Sequence, residues 1–226
     1  MFPLRMFFDF FIPNTCYTCG KILEKDEKYL CKKCIQSIEI SDIETCLNHQ
    51  LVLENKYFHH LFYFATYKDV LKDAIHLFKY DNRPELAEIL AYFLFYRLNE
   101  IQLLLYEYDF ILFVPLHHVK KRERGFNQSE ELAKQLSLLS GIPVLKNGIV
   151  RTHNSISQTK ISFESRLKNV NNHFRGGKNA HEIRNKNIIL IDDVVTTGST
   201  LNEVAKALIP FGPANIDCLT LATARK

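Results

Sequence analysis

No stretch of this 226-residue sequence holds the roughly 20 apolar residues that a membrane-spanning helix requires. It shows no convincing export leader either. Arg5 and Asp9 interrupt the apolar run from Met1 to Ile12, and no small-residue cleavage site precedes Pro13. A cytoplasmic protein is therefore expected. Leu4, Phe7, Phe8 and Phe11 recur at helical spacing, which predicts a short amphipathic helix docked on the protein, with a membrane surface or a partner as the alternative contact. The Walker pattern G-x-x-x-x-G-K-[ST] is absent, so a P-loop is excluded. Strong charge is missing too: a net +4 suits polyanionic ligands but does not by itself argue for nucleic acid. No internal repeat stands out beyond paired cysteines.

Those cysteines are the first positive feature. Cys16-x2-Cys19-x11-Cys31-x2-Cys34 offers four thiolates, enough for a closed tetrahedral zinc. Without an export signal such pairs favour metal over disulfides. A closed site leaves no position for water, so its role would be structural, with redox chemistry as the rival. The surrounding residues, 14 to about 60, lack a sustained apolar period, and a metal is their plausible core. Hence a division into residues 1–60, with the zinc-binding module, and 61–226, with an α/β domain, is expected.

From Leu61 the texture alternates between strands and helices. Leu61–Tyr67, Phe110–Val114, Ile188–Ile191 and Ile216–Ala222 read as strands, the middle two as continuous apolar runs suited to a buried parallel sheet. Val70–Phe78, Pro84–Asn99, Ser129–Leu139 and a segment from Leu201 to about Pro210 read as helices. Residues 115–128 read as a basic loop, and 142–186 as a long polar, partly mobile segment. Strand-helix-strand order predicts a mainly parallel sheet with helices on both faces.

The chemistry concentrates after the strand Ile188–Ile191, in Asp192-Asp193-Val194-Val195-Thr196-Thr197-Gly198-Ser199-Thr200. A buried strand holds such a loop at the carboxyl edge of a sheet, where open α/β folds bind ligands. Gly198 permits close backbone approach, and free N–H groups at a helix start, with the hydroxyls of Thr196, Thr197, Ser199 and Thr200, can surround a phosphate dianion. Asp192 and Asp193 would repel that phosphate. They make sense one sugar away, accepting from a diol or neighbouring a magnesium ion. A capped helix start after a solvated strand end is the bland alternative.

This segment resembles the phosphoribosyl pyrophosphate (PRPP) signature of type I phosphoribosyltransferases. The resemblance implies that the acid pair meets the ribose hydroxyls and that the Thr/Gly loop holds the 5-phosphate. It extends to the ComF/GntX family of phosphoribosyltransferase-like proteins linked to DNA uptake. Val114-Pro115-Leu116, Arg124-Gly125-Phe126-Asn127-Gln128, Arg151 with Gln158, Arg166 with Asn169 and the cysteine pairs carry it. It implies a type I phosphoribosyltransferase-like fold with a small N-terminal zinc finger of four cysteines, and a pyrophosphate-side loop at Pro115–His118. It also implies a segment within 151–186 that closes over the site. Single-stranded DNA and other competence proteins become expected partners.

The cations Lys120, Lys121, Arg122 and Arg124 suit a diphosphate or a DNA backbone, or are a solvated turn. Residues 151–186 carry eight Lys/Arg against two Glu. Tyr17, Tyr29, Phe58 and Phe126 are candidates for stacking on bases, against ordinary core packing. Where the family pattern carries further cysteine pairs, this chain has Cys46-Leu47-Asn48-His49 and then His59-His60, which leaves a second metal site or a buried thiol with solvated histidines. Cys218 reads as packing. Three functions follow: a DNA-uptake protein binding PRPP and single strands, a nucleobase phosphoribosyltransferase, or a regulatory platform. Purine-salvage enzymes carry an acid where this chain has Thr196, which weakens the second.

Overall fold

In the computed structural model, residues 14–49, 51, 53–104, 107–152 and 173–224 are described. The expected N-terminal helix, together with Gln158, Arg166 and Asn169, lies outside them. The cysteine-rich segment carries two short helices, α1 (Lys32–Gln36) and α2 (Ile43–Leu47). Asp42 caps α2 by accepting from the Thr45 amide, as a short side chain at a helix start does well.

Four strands form one parallel sheet: β1 (Leu61–Thr66), β2 (Phe110–Phe113), β5 (Asn187–Val195) and β6 (Asn215–Thr223), in the order β1-β6-β5-β2. Every residue of β6 is buried, and β5 is buried from Ile188 to Ile191, as expected of strands covered on both faces. Val144 bridges in parallel to Ile111 and extends the sheet beyond β2.

The connections then follow from right-handed crossover. Between β1 and β2 run α3 (Asp69–Tyr80) and α4 (Leu86–Leu104); between β2 and Val144 run α5 (His118–Arg124) and α6 (Gln128–Ser140). These crossings move in one direction along the sheet, so α4 and α6 share a face, and they pack on each other as well as on the strands. The crossing from β5 to β6 runs the other way and puts α7 (Ser199–Leu208) on the opposite face, against an antiparallel hairpin of β3 (Ile149–Arg151) and β4 (Phe174–Gly176). The expected sheet with helices on both faces is what forms.

Two local readings need correction. Most of the basic stretch after β2 is not a loop but helix α5, which His117 caps and Gly125, whose φ of 76° suits glycine, stops. The segment 142–186 is also more regular at its ends than its polar composition suggests. It contains β3, β4 and a 3-10 turn at Ala180–Ile183, where buried Ile149, Phe174, Ala180 and Ile183 supply the packing.

The cysteine segment is not a separate bead. Cys16, Leu23, Leu30 and Cys31 belong to the same buried cluster as the sheet. A strap from Asn55 to Tyr57 ties it to α7: Asn202 accepts from the Tyr57 amide at 2.8 Å and donates to the Asn55 carbonyl at 2.6 Å.

Candidate functional site

Strand β5 outruns its neighbour, and this creates the site. The last β2–β5 pair is Phe113 with Ile191, and the Val114 amide closes the ladder on the Ile191 carbonyl. Beyond it the β5 amides lose their partner on that side, and the acid pair takes them. Asp192 Oδ1 accepts from the Asp193 amide at 2.9 Å, and Asp193 Oδ1 from the Val194 amide at 2.6 Å. The acids therefore lie within the strand, which runs to Val195. The loop proper is Thr196–Gly198, and Ser199 and Thr200 open α7.

Residues far away in the chain hold each acid. The Ser129 hydroxyl, at the start of α6, donates to Asp192 Oδ1 at 2.8 Å. Lys79, near the end of α3, pairs with Asp193 Oδ1 at 2.8 Å, with both side chains largely covered. Crowding by surrounding protein, and then the charge of Asp193, push the Asp192 carboxyl up to about 7. Asn127 is buried and links the two loops at this edge. Its Nδ2 donates to the Val114 carbonyl at 3.1 Å, while its Oδ1 accepts from the Ser129 amide. Neither Lys79 nor Ser129 was among the residues singled out in the sequence.

The loop itself presents hydroxyls. Thr196, Thr197, Ser199 and Thr200 are exposed, and Gly198, with φ 79°, is the buried hinge before α7. Gly198 brings no capping side chain to this helix, and among the described residues only the Ser199 amide is met by one, Thr197 Oγ1 at 3.4 Å, so the following first-turn N–H groups are available to an anion. A Cβ on Gly198 would lie 2.5 Å from Leu51 Cδ1, so the strap side of the glycine is already filled.

Next to this edge, Pro115, Leu116, His117, Asn127, Glu130 and Arg151 help line a cavity of about 350 Å³. A second cavity, of about 450 Å³, lies between α3 and α5 and is lined by Lys79, Tyr80, Lys120, Arg122 and Arg124. Among the proposed stacking residues, Phe58 is buried and Phe126 packs on Phe78 with ring centres 5.4 Å apart. Tyr17 and Tyr29 are half-buried, with hydroxyls donating to Glu85 and Glu88. They are packing residues here. Tyr80 is exposed and lies under the Arg124 guanidinium, 4.8 Å from ring centre to carbon.

The four cysteines converge as their spacing requires. The sulfurs of Cys16, Cys19, Cys31 and Cys34 lie within 4.8 Å of one another, and Cys19 and Cys31 are 3.7 Å apart. Tetrahedral zinc with bonds of about 2.3 Å sets its sulfurs about 3.8 Å apart, so the donor set fits. Gly20, φ 72°, makes the tight turn of the first pair, and its amide donates to the Cys16 carbonyl. Burial opposes ionisation of Cys16, but the Thr18 hydroxyl and the amides of Cys19, Cys31 and Thr18 outweigh it and bring the thiol to about 6. These four can hold a metal.

Among the described residues no second such group forms. Cys46 is buried and donates to the Tyr63 carbonyl, and His60 Nδ1 lies 3.0 Å from buried Asp217. Cys218 is buried within β6, as packing. Among the described residues no helix is long and apolar enough to cross a membrane.

Residues 95–226 match the phosphoribosyl transferase domain. The chain is 35% identical over 162 residues to "Competence protein F" of Haemophilus influenzae, covering 70% of each chain. It is 32% identical over 167 residues to "DNA utilization protein YhgH" of Escherichia coli, again with 70% of each covered. A longer match, 27% identical over 210 residues, spans 89% of this chain and 80% of "Competence protein ComFC" of Bacillus subtilis.

Proposed function

From a chain that belongs to the phosphoribosyl transferase domain family, in its ComF-like branch, we propose a protein that binds PRPP and single-stranded DNA during DNA uptake in natural transformation. Its place would be the cytoplasm, beside other competence proteins. One observation carries the ligand: the acid pair and the hydroxyl-rich helix start leave β5 beside the loop that leaves β2. Asp192 and Asp193 would accept from the ribose hydroxyls. Thr196, Thr197, Gly198, Ser199 and Thr200 would surround the 5-phosphate. The segment Pro115–His118, which runs into the start of α5, and the cavity beside it would face the pyrophosphate, with Mg2+ neutralising part of its charge.

Zn2+ on Cys16, Cys19, Cys31 and Cys34 would hold the N-terminal module, residues 1–60, against the domain of residues 61–226. Its chemistry there is structural, because four thiolates close the coordination sphere. Thr196 offers no ionisable group for a base proton, so binding rather than transfer is what these residues support.

Calorimetry with PRPP and Mg2+ tests the reading. Wild type should bind, and Asp193→Ala should bind roughly 10-fold more weakly or worse, the loss of about 1.4 kcal/mol expected when a charged acceptor is removed. Equal affinities would remove the assignment of the acid pair.

A further inference from the structure

The cavity between α3 and α5 is built from two elements far apart in the chain, yet its chemistry is of one kind. Lys79, Lys120, Arg122 and Arg124 line it, with Tyr80 and Asn82 as neutral donors. Among the described residues Glu123 is its only lining acid. Lys120 and Arg122 are exposed and make no ion pair among the described residues. Four cations around one acid are far more than a neutral nucleobase needs. They are what a phosphate needs, since guanidinium groups grip two oxygens at once. The exposed ring of Tyr80, with Arg124 over one face, adds a stacking surface of the kind that single-stranded nucleic-acid sites use.

Lys79 belongs to this cavity and to the neighbouring site together. It lines the cavity while its ammonium pairs with Asp193 Oδ1. A phosphate in the cavity would compete for that ammonium and release the carboxylate oxygen to accept a ribose hydroxyl. A ribose on Asp193 would in turn release Lys79 toward the cavity.

We propose that this cavity binds the phosphate and ring of a nucleotide unit, and that Lys79 makes its occupancy and ribose-phosphate binding at Asp192–Thr200 mutually favourable. The coupling half rests on the reading of that loop as a PRPP site; the cavity half does not. The nucleotide unit can belong to a DNA strand or be free, and separate arms of one experiment distinguish these.

Calorimetry would measure PRPP with Mg2+ alone and with saturating dT20 or thymidine monophosphate, on wild type, Lys79→Gln and the double variant Lys120→Gln/Arg122→Gln. Both substituted positions of the double variant are exposed, so folding is preserved. In wild type, dT20 should tighten PRPP binding about 5-fold or more, the lower range of allosteric coupling. By reciprocity PRPP should tighten dT20 by the same factor. Lys79→Gln should bind both ligands without mutual effect. The double variant should lose dT20 affinity about 10-fold and flatten its salt dependence by about 1.4, from two lost phosphate contacts. Tightening by thymidine monophosphate as strong as by dT20 would assign the cavity to free nucleotides. Unchanged affinity for both probes in the double variant would overturn the cavity, and unaltered coupling in Lys79→Gln would overturn the role of Lys79. Absence of PRPP binding by wild type would fell the loop reading and the coupling together, while the double variant still decides the cavity.

Discussion

Asp192 is where recognition and stability should pull apart. Burial, and then the charge of Asp193, hold its carboxyl at about 7 against an ordinary 3.8. The folded chain thus keeps a proton that the unfolded chain releases near pH 4. For such a raised pKa, the stabilising contribution is fully present below the unfolded value and is lost as pH climbs through the folded one. Ionised Asp192 at neutral pH therefore costs up to about 4 kcal/mol, at about 1.4 kcal/mol per unit. The attraction of Lys79 is already contained in that value, and relaxation of the surrounding protein will absorb part of the rest, so about 2 kcal/mol is expected. Asp192→Asn removes the charge while its Oδ1 can still accept from Ser129 and the Asp193 amide. Without ligand, the variant should melt about 4–8 °C above wild type at pH 8, for a chain of this size. The gap should shrink steadily toward pH 5. PRPP affinity should fall in the same variant, because an amide NH2 cannot accept from a hydroxyl. Thermal melts at half-unit steps from pH 5 to 8.5 read the first effect. A melting difference that does not change with pH would refute the reasoning.

Ser129→Ala removes a hydrogen bond that lowers the Asp192 pKa. The pH midpoint for PRPP binding should move upward, as calorimetry across pH 6 to 9 would detect. Gly198→Ala places a side chain at φ 79° and against Leu51. The backbone conformation alone costs about 1–2 kcal/mol, and adding Leu51→Ala should recover only the contact part, as denaturant melts would show. Elemental analysis should find one zinc per chain, lost in Cys31→Ser with a stability drop of several kcal/mol, part of the roughly 10–16 that zinc gives finger peptides. Full metal content with unchanged melting in that variant would exclude the four-thiolate centre.

Much of the fold was legible because buried parallel strands are continuous apolar runs. Ile188–Ile191 and Phe110–Phe113 announce themselves without reference to any partner. The cysteine knuckles were equally plain, since thiol spacing is a local property. Helix α5 was not, because His118–Arg124 carries only Val119 as an apolar side chain and so has no stripe to reveal a helix. Its ends are set by His117 and by Gly125, and they become evident only once the turn geometry is known. Lys79 and Ser129 escaped for a different reason. One lysine on an amphipathic helix looks like any solvated lysine, and its pairing with Asp193 depends on how α3 crosses the sheet. The stacking candidates failed similarly: Phe58 and Phe126 are aromatic for the core, while Tyr80 is exposed only because α3 ends there.

Strand β6 follows every other strand in the chain, yet it lies second in the sheet, between β1 and β5. Its pairing with β1 joins Leu61 to Cys218, residues from opposite ends of the domain. Contacts of such separation form late and slowly. A ribosome that stalls before Asn215 therefore leaves a chain whose first strand keeps only the short bridge from Ile40 to Ala65 and whose strand β5 is left at an open edge. Such a fragment has no intermediate degree of competence. Arrival of residues 215–223 and completion of the sheet become the same event, and copies that lack them are left with unpaired strand edges, the feature that aggregation and quality-control machinery both recognise.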